Sequence, residues 1–162
     1  MNVLKWLGAT LLGVAVLIGA LFLIAPFRDG PIGPIPGGPL ESGELVSQPV
    51  TDWSFATSVE TIEMQLVVDG NRSRTTWLFV HEGSAFIPVT LGFPPGKSWH
   101  TLAVEDGRAL VRIYERRYPV TLTKVDDPEL LDALAAANAA KYPPAPGSDT
   151  GSWYFKLEHR EA

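Results

Sequence analysis

The chain has 162 residues and carries 13 Lys and Arg against 18 Asp and Glu, a formal net charge of -5. That balance argues against a nucleic-acid surface and against a polybasic contact with anionic lipid. Cysteine is absent, which removes disulfides, thiol catalysis and Cys-ligated metals, and suits an oxidising compartment.

Leu7 to Phe27 is an almost unbroken apolar run. A bilayer core needs roughly 20 residues of apolar helix, so residues 1–28 read as a single-pass transmembrane anchor. A cleaved signal peptide has a shorter apolar region, roughly 7–15 residues, and small residues at −3 and −1 of its cleavage site. Ile18 and Leu23 occupy the −3 positions before Ala20 and Ala25, so the uncleaved anchor is the better reading. Lys5 precedes the run, while Arg28 is offset by Asp29, Glu41 and Glu44. Positive charge stays on the cytoplasmic side. The soluble part is therefore expected on the non-cytoplasmic face of the cell (inner) membrane.

Residues 29–40 are dense in proline and glycine, which forbids a helix or a central strand and predicts a semi-rigid stalk. Ile32 and Ile35 are the two residues of that stretch able to dock on a domain or lie among headgroups. Residues 41–162 are long enough for one domain with its own core.

That domain reads mainly as β. Ile62, Met64, Leu66 and Val68 alternate with Thr61, Glu63, Gln65 and Val67, the period of a half-buried strand. Asp69-Gly70-Asn71 signals a turn, Thr75 to His81 a second strand, and Glu82-Gly83-Ser84 a turn into Ala85 to Thr90. A short helix is expected from Ser98 to Glu105, with Trp99, Leu102 and Ala103 inward. Arg108 to Tyr114 and Tyr118 to Val125 read as a hairpin. Asp127-Pro128-Glu129 is a helix start, and Leu130, Leu134 and Ala137 give that helix one apolar face. Trp153, Phe155 and Leu157 alternate with Tyr154, Lys156 and Glu158 in a closing strand. Short strands at this spacing predict a barrel or sandwich.

The order of these elements resembles the FMN-binding split-barrel proteins, the superfamily of pyridoxamine phosphate oxidase and the deazaflavin-dependent nitroreductases. The likeness rests on Trp77-Leu78-Phe79-Val80-His81, the basic loop Lys97-Ser98-Trp99 before a short helix, and the Arg108-to-Val125 hairpin followed by a helix. Within that superfamily the chain looks like a membrane-anchored branch marked by the Gly/Pro stretch and Asp52-Trp53-Ser54-Phe55. The resemblance implies a split barrel of six to seven antiparallel strands, Greek-key in type, with two short helices. It also implies a homodimer holding FMN or a related flavin, for redox chemistry on a small or membrane-soluble acceptor. The matching cofactor-binding residues are Lys97, Ser98 and Trp99, with Thr75 or Thr76 from the strand.

Taken on its own chemistry, Pro95-Gly96-Lys97-Ser98 puts a cation and a hydroxyl where a loop enters a helix. It is not a P-loop, because Leu91 stands where the first glycine is required. His81, His100 and His159 lack metal-ligand spacing; His100, beside Trp99, is the one histidine placed for proton transfer or for a porphyrin. Arg112, Arg116 and Arg117 cluster with Tyr114 and Tyr118, either as interface anchors or as a charged turn. Asn71-Arg72-Ser73 is a formal glycosylation sequon. No acid–base pair or G-x-S-x-G elbow emerges. The alternative to a flavin oxidoreductase is thus a non-catalytic barrel that docks on a membrane complex or partner.

Overall fold

In the computed structural model, which describes residues 2–70, 72–144 and 151–161, the chain forms eight β-strands and three α-helices. The apolar run is α1 (Asn2–Ile24). At 1.5 Å per residue it extends roughly 34 Å, more than the roughly 30 Å hydrocarbon core of a bilayer. It stands clear of the rest of the chain, and from Val3 to Phe27 it is long and apolar enough to cross a membrane.

The strands are β1 (Glu44–Leu45), β2 (Thr61–Leu66), β3 (Ser73–Trp77), β4 (Phe79–His81), β5 (Ser84–Thr90), β6 (Arg108–Ile113), β7 (Arg116–Lys124) and β8 (Ser152–His159). They lie in the order β3-β2-β6-β7-β8-β5-β4, all antiparallel, with β1 added parallel to the start of β7. The two ends of this path, β3 and β4, are consecutive in the chain and separated by Leu78 alone. Leu78 donates its N–H to Glu60 O (3.0 Å) and is fully buried. One extended segment thus pairs with β2, passes Leu78, and pairs with β5. The sheet is thereby curled into a barrel that is split between β3 and β5. Pro88 stands in β5 beside this split and has no N–H with which to extend a ladder across it.

The expected strand periodicity sets the core. Ile62, Met64 and Leu66 of β2 face inward with Val111, Val120, Ile87 and Phe155. β2 ends at Leu66, and Val67 and Val68 are exposed, so the alternation runs past the strand that it predicts. Tyr154, read as a polar-side position of β8, is buried on the outer face. There it meets Phe79, Phe86 and Leu134, the last from α3 (Pro128–Lys141). The barrel therefore has an inner core and a second, outer core under α3.

Helix α3 starts as its sequence dictates: the Asp127 carboxylate accepts from Glu129 N (3.1 Å), and Pro128 occupies the first turn. Its far end is clamped to the strand crossing. Lys141 Nζ donates to Thr57 O (3.0 Å), Leu78 O (2.9 Å) and Val59 O. The Tyr142 hydroxyl donates to Glu60 O (2.7 Å) and contacts Leu78 O, and burial pushes it up to about 12. The shorter helix α2 (Trp99–Glu105) covers one end of the barrel, burying Trp99, His100 and Ala103, while Leu102 is half-buried.

The Pro/Gly segment that follows α1 is docked along the barrel and does not stand off as a free stalk. Gly37 and Ser73 exchange backbone hydrogen bonds (3.0 and 3.1 Å), Ser73 Oγ donates to Gly38 O (2.5 Å), and Thr75 Oγ1 donates to Gly33 O (2.8 Å). Ile32 and Ile35 close a small hairpin through mutual backbone bonds of 3.0 Å. Two of its glycines are there for closeness: a Cβ on Gly37 would lie 1.8 Å from Gly30 O, and one on Gly38 2.5 Å from Pro26 O.

The three arginines of the hairpin hold the ends of this segment and the residues that follow it. Arg112 bridges Asp29 (2.8 Å), Ser42 Oγ (2.8 Å) and Glu63. Arg117 donates to Gly43 O and Leu40 O, both at 3.0 Å, and Arg116 pairs with Glu44 (3.2 Å). Between the two sequence readings of this cluster, the structure gives a third: an intramolecular anchor. The turn it flanks, Tyr114-Glu115, has both residues at positive φ (50° and 61°) without a glycine.

Candidate functional site

The split between β3 and β5 opens into a cleft of about 470 Å³, within the range of roughly 300–1,000 Å³ usual for small-molecule sites. Thr75, Thr76 and Trp77 line it from β3, Pro88 and Thr90 from β5, and residues 93–99 from the loop that enters α2. The docked N-terminal segment contributes Pro34 and Pro36, and the β2–β3 turn contributes Asp69 and Arg72.

Register decides which side chains turn toward the barrel mouth. Met64 pairs with Arg74 and Ile62 with Thr76, and residues that pair across an antiparallel ladder share a face. Met64 and Ile62 point into the core, so Arg74 and Thr76 do too. Arg74 lies over the Trp99 ring, 5.9 Å from its centroid, and is paired with Asp69. Burial lowers its guanidinium to about 10, which leaves it charged at neutral pH. Its Nε is buried and has no hydrogen-bond partner. An unpaired donor of that kind is uncommon in a folded interior.

Lys97 lies on the opposite wall. Its ammonium donates to Phe93 O (2.6 Å) and to Thr90 O, and burial lowers its pKa. Two of its three donors are thus used to hold the loop, and one remains. Ser98 occupies the N-cap position of α2 with no capping bond from its side chain; only its carbonyl is engaged, by Thr101 and Leu102. Trp77 stacks on Tyr142 (5.3 Å between centroids, 14° between planes) at the outer rim.

Four of the five residues expected to bind a cofactor, Lys97, Ser98, Trp99 and Thr76, therefore line one cleft. The fifth, His100, lies behind Trp99. Its ring is held edge-on between Trp99 (6.2 Å) and Trp153 (5.2 Å), and its Nδ1 is buried without a partner. Burial, and then the Lys97 charge, lower its pKa, so the ring is neutral at pH 7. His81 ends β4 as expected, and His159 Nε2 lies 3.1 Å from Val46 O. Among the described residues no three His, Asp or Glu side chains gather as a metal site. Asn71 of the sequon lies outside the described residues.

Sequence reasoning missed Arg74, Asp69, Pro34 and Pro36. The signal for Arg74 was its place two residues before Thr76 on one strand, which puts both on the same face. Pro34 and Pro36 carry no such signal, because their partners are remote in sequence. The chain was compared with models of protein families and with curated proteins, and it matches none of them.

Proposed function

We propose that this protein is a membrane-tethered barrel whose split holds an anionic, planar ligand of the flavin-nucleotide type, used for redox chemistry on a small or membrane-soluble acceptor. The observation that carries this reading is the pairing of a cation that has an unpartnered buried donor with an aromatic face: the Arg74 guanidinium, its Nε unbonded, lies over the Trp99 ring, and both residues line the cleft. The cleft residues fit the group. Arg74, Thr76 and the remaining donor of Lys97 suit a phosphate, and Trp99 and Trp77 suit a ring system. A bound flavin would supply the electron and hydride transfer, and the chain supplies binding, orientation and partial exclusion of water. The anchor reading places the barrel on the non-cytoplasmic face of the cell membrane, and the split-barrel resemblance implies a homodimer.

One observation favours a second reading. Lys97 is already coordinated by two carbonyls and Arg74 is already paired with Asp69, as in a barrel that uses its cations internally and serves as a partner-docking module. An absorbance spectrum of the detergent-purified full chain, loaded with FMN and gel-filtered, separates the two. The proposal expects a retained flavin spectrum that is lost in Lys97→Ala. A colourless protein under every loading condition supports the docking module.

A further inference from the structure

The Gly/Pro segment has two properties that a spacer would not have. It is fixed to β3 along its length, at Gly33, Gly37 and Gly38. It also presents Pro34 and Pro36 to the cleft. Those prolines lie between the fixed points, so the wall they form exists only while the segment is docked. The segment also ties the cleft to the end of the anchor. Gly38 N donates to Arg28 O (3.0 Å), and Arg28 directly follows the apolar span. Pro36 is two residues from Gly38. At 3.8 Å per Cα step this puts it within roughly 12 Å of the point where the apolar span ends. A headgroup layer is roughly 5–8 Å deep, so with α1 in a bilayer this wall stands at or just above it.

We propose that the membrane tether is a structural wall of the cleft, so that ligand affinity depends on tether docking and the cleft is held at the membrane surface. The affinity part rests on the cleft being the ligand site. The wall itself does not, and it is tested separately.

The latch has two parts remote from the cleft chemistry. One is Gly38, where an added Cβ would meet Pro26 O at 2.5 Å and Arg28 O at 2.6 Å. The other is Asp29, whose carboxylate accepts from Glu41 N (2.9 Å), Ser42 N (3.1 Å) and Arg112. Breaking either should free the segment while leaving the inner core intact. Docking and ligand binding are then linked: docking tightens the ligand by the same factor by which the ligand tightens docking.

The experiment uses the full chain in nanodiscs, in three forms: unchanged, Gly38→Ala and Asp29→Asn, the last as the milder break should Gly38→Ala fail to fold. The absence of cysteine allows Thr76→Cys to be placed in each form as a unique probe, and its rate of maleimide labelling is read without ligand. FMN affinity is read by fluorescence quenching in the forms that retain Thr76. The proposal expects slow labelling in the parent, labelling several-fold faster in both latch variants, and FMN binding about tenfold weaker, in the range of ordinary coupling between sites. Two outcomes overturn it: equal labelling in parent and latch variants once hydrogen exchange shows the segment released, or a segment that already exchanges freely in the parent. Faster labelling with no FMN binding by any form upholds the wall and rejects the flavin reading alone.

Discussion

Two stretches of this chain have nearly the same composition and opposite roles. Gly30 to Pro39 and Phe93 to Gly96 are both proline- and glycine-rich. The first is sewn to the barrel, and its Gly37 and Gly38 are needed because backbone passes within contact distance of backbone. The second is an exposed rim whose Gly96 has open space around a Cβ and is needed only for its φ of +77°. Its principal tie to the body is the Lys97 ammonium reaching back to Thr90 and Phe93. Composition fixes which backbone shapes are reachable. Whether a segment is structure or rim depends on which donors and acceptors lie opposite, here Ser73, Thr75 and Arg112 for the first stretch and Lys97 for the second.

Substitutions at the glycines test that contrast most strongly. Gly37→Ala should weaken tether docking by about 2–3 kcal/mol, the scale of overpacking a filled site, read as faster hydrogen exchange at Ser73. Arg112→Ala comes next. It leaves Asp29 and Glu63 without their shared cation, and Arg112 is only 11% exposed at its side chain. The loss expected is about 2 kcal/mol, that of a hydrogen bond to a charged group, measured as a lower urea midpoint together with release of Ser42. Gly96→Ala should lower stability by only about 1 kcal/mol, through the left-handed backbone alone, and should leave exchange at Ser73 unchanged. A larger effect at Gly96 than at Gly37 would reverse the assignment of the two stretches.

The smallest expected effect is the pH dependence of the latch. Burial pushes the Asp29 carboxyl up, but hydrogen bonds from Ser42, the Glu41 amide and Arg112 outweigh it and hold the group well below its ordinary 3.8. A depressed pKa means that the undocked form binds the proton first. Docking is thus at full strength above 3.8 and weakens as pH falls through and below that value. Protection at Ser73 should therefore fall as the pH is taken below 3.8 in the parent and change much less in Asp29→Asn.

Much of the fold was legible because its causes are local. The alternation of Ile62, Met64 and Leu66, the Asp127-Pro128 helix start and the apolar run of α1 each act through neighbours in the chain. The outer core under α3 was not legible: Tyr154 looks polar in an alternating strand, and only the approach of Leu134 makes its face buried. The hairpin of β6 and β7 was legible, but its turn falls at Tyr114-Glu115 and not between Tyr114 and Tyr118, because two residues that carry no such signal take positive φ. Of the candidate site, Lys97, Ser98, Trp99 and Thr76 were expected from the resemblance, and the structure brings these four to one cleft and leaves His100 behind it. Arg74 depended on a register with Met64 that sequence alone does not fix, and Pro34 and Pro36 on a docking whose partners lie far along the chain.

The central claim is that the segment after the anchor belongs to the barrel. Residue-resolved hydrogen exchange of the full chain in nanodiscs tests it directly, at the amides of Gly37 and Ser73, which bond to each other, and of Val111 in the inner core. The account predicts that Gly37 and Ser73 exchange slowly, within the protected range that Val111 defines. Exchange of Gly37 and Ser73 at the rate of unstructured peptide, with Val111 still protected, would contradict it.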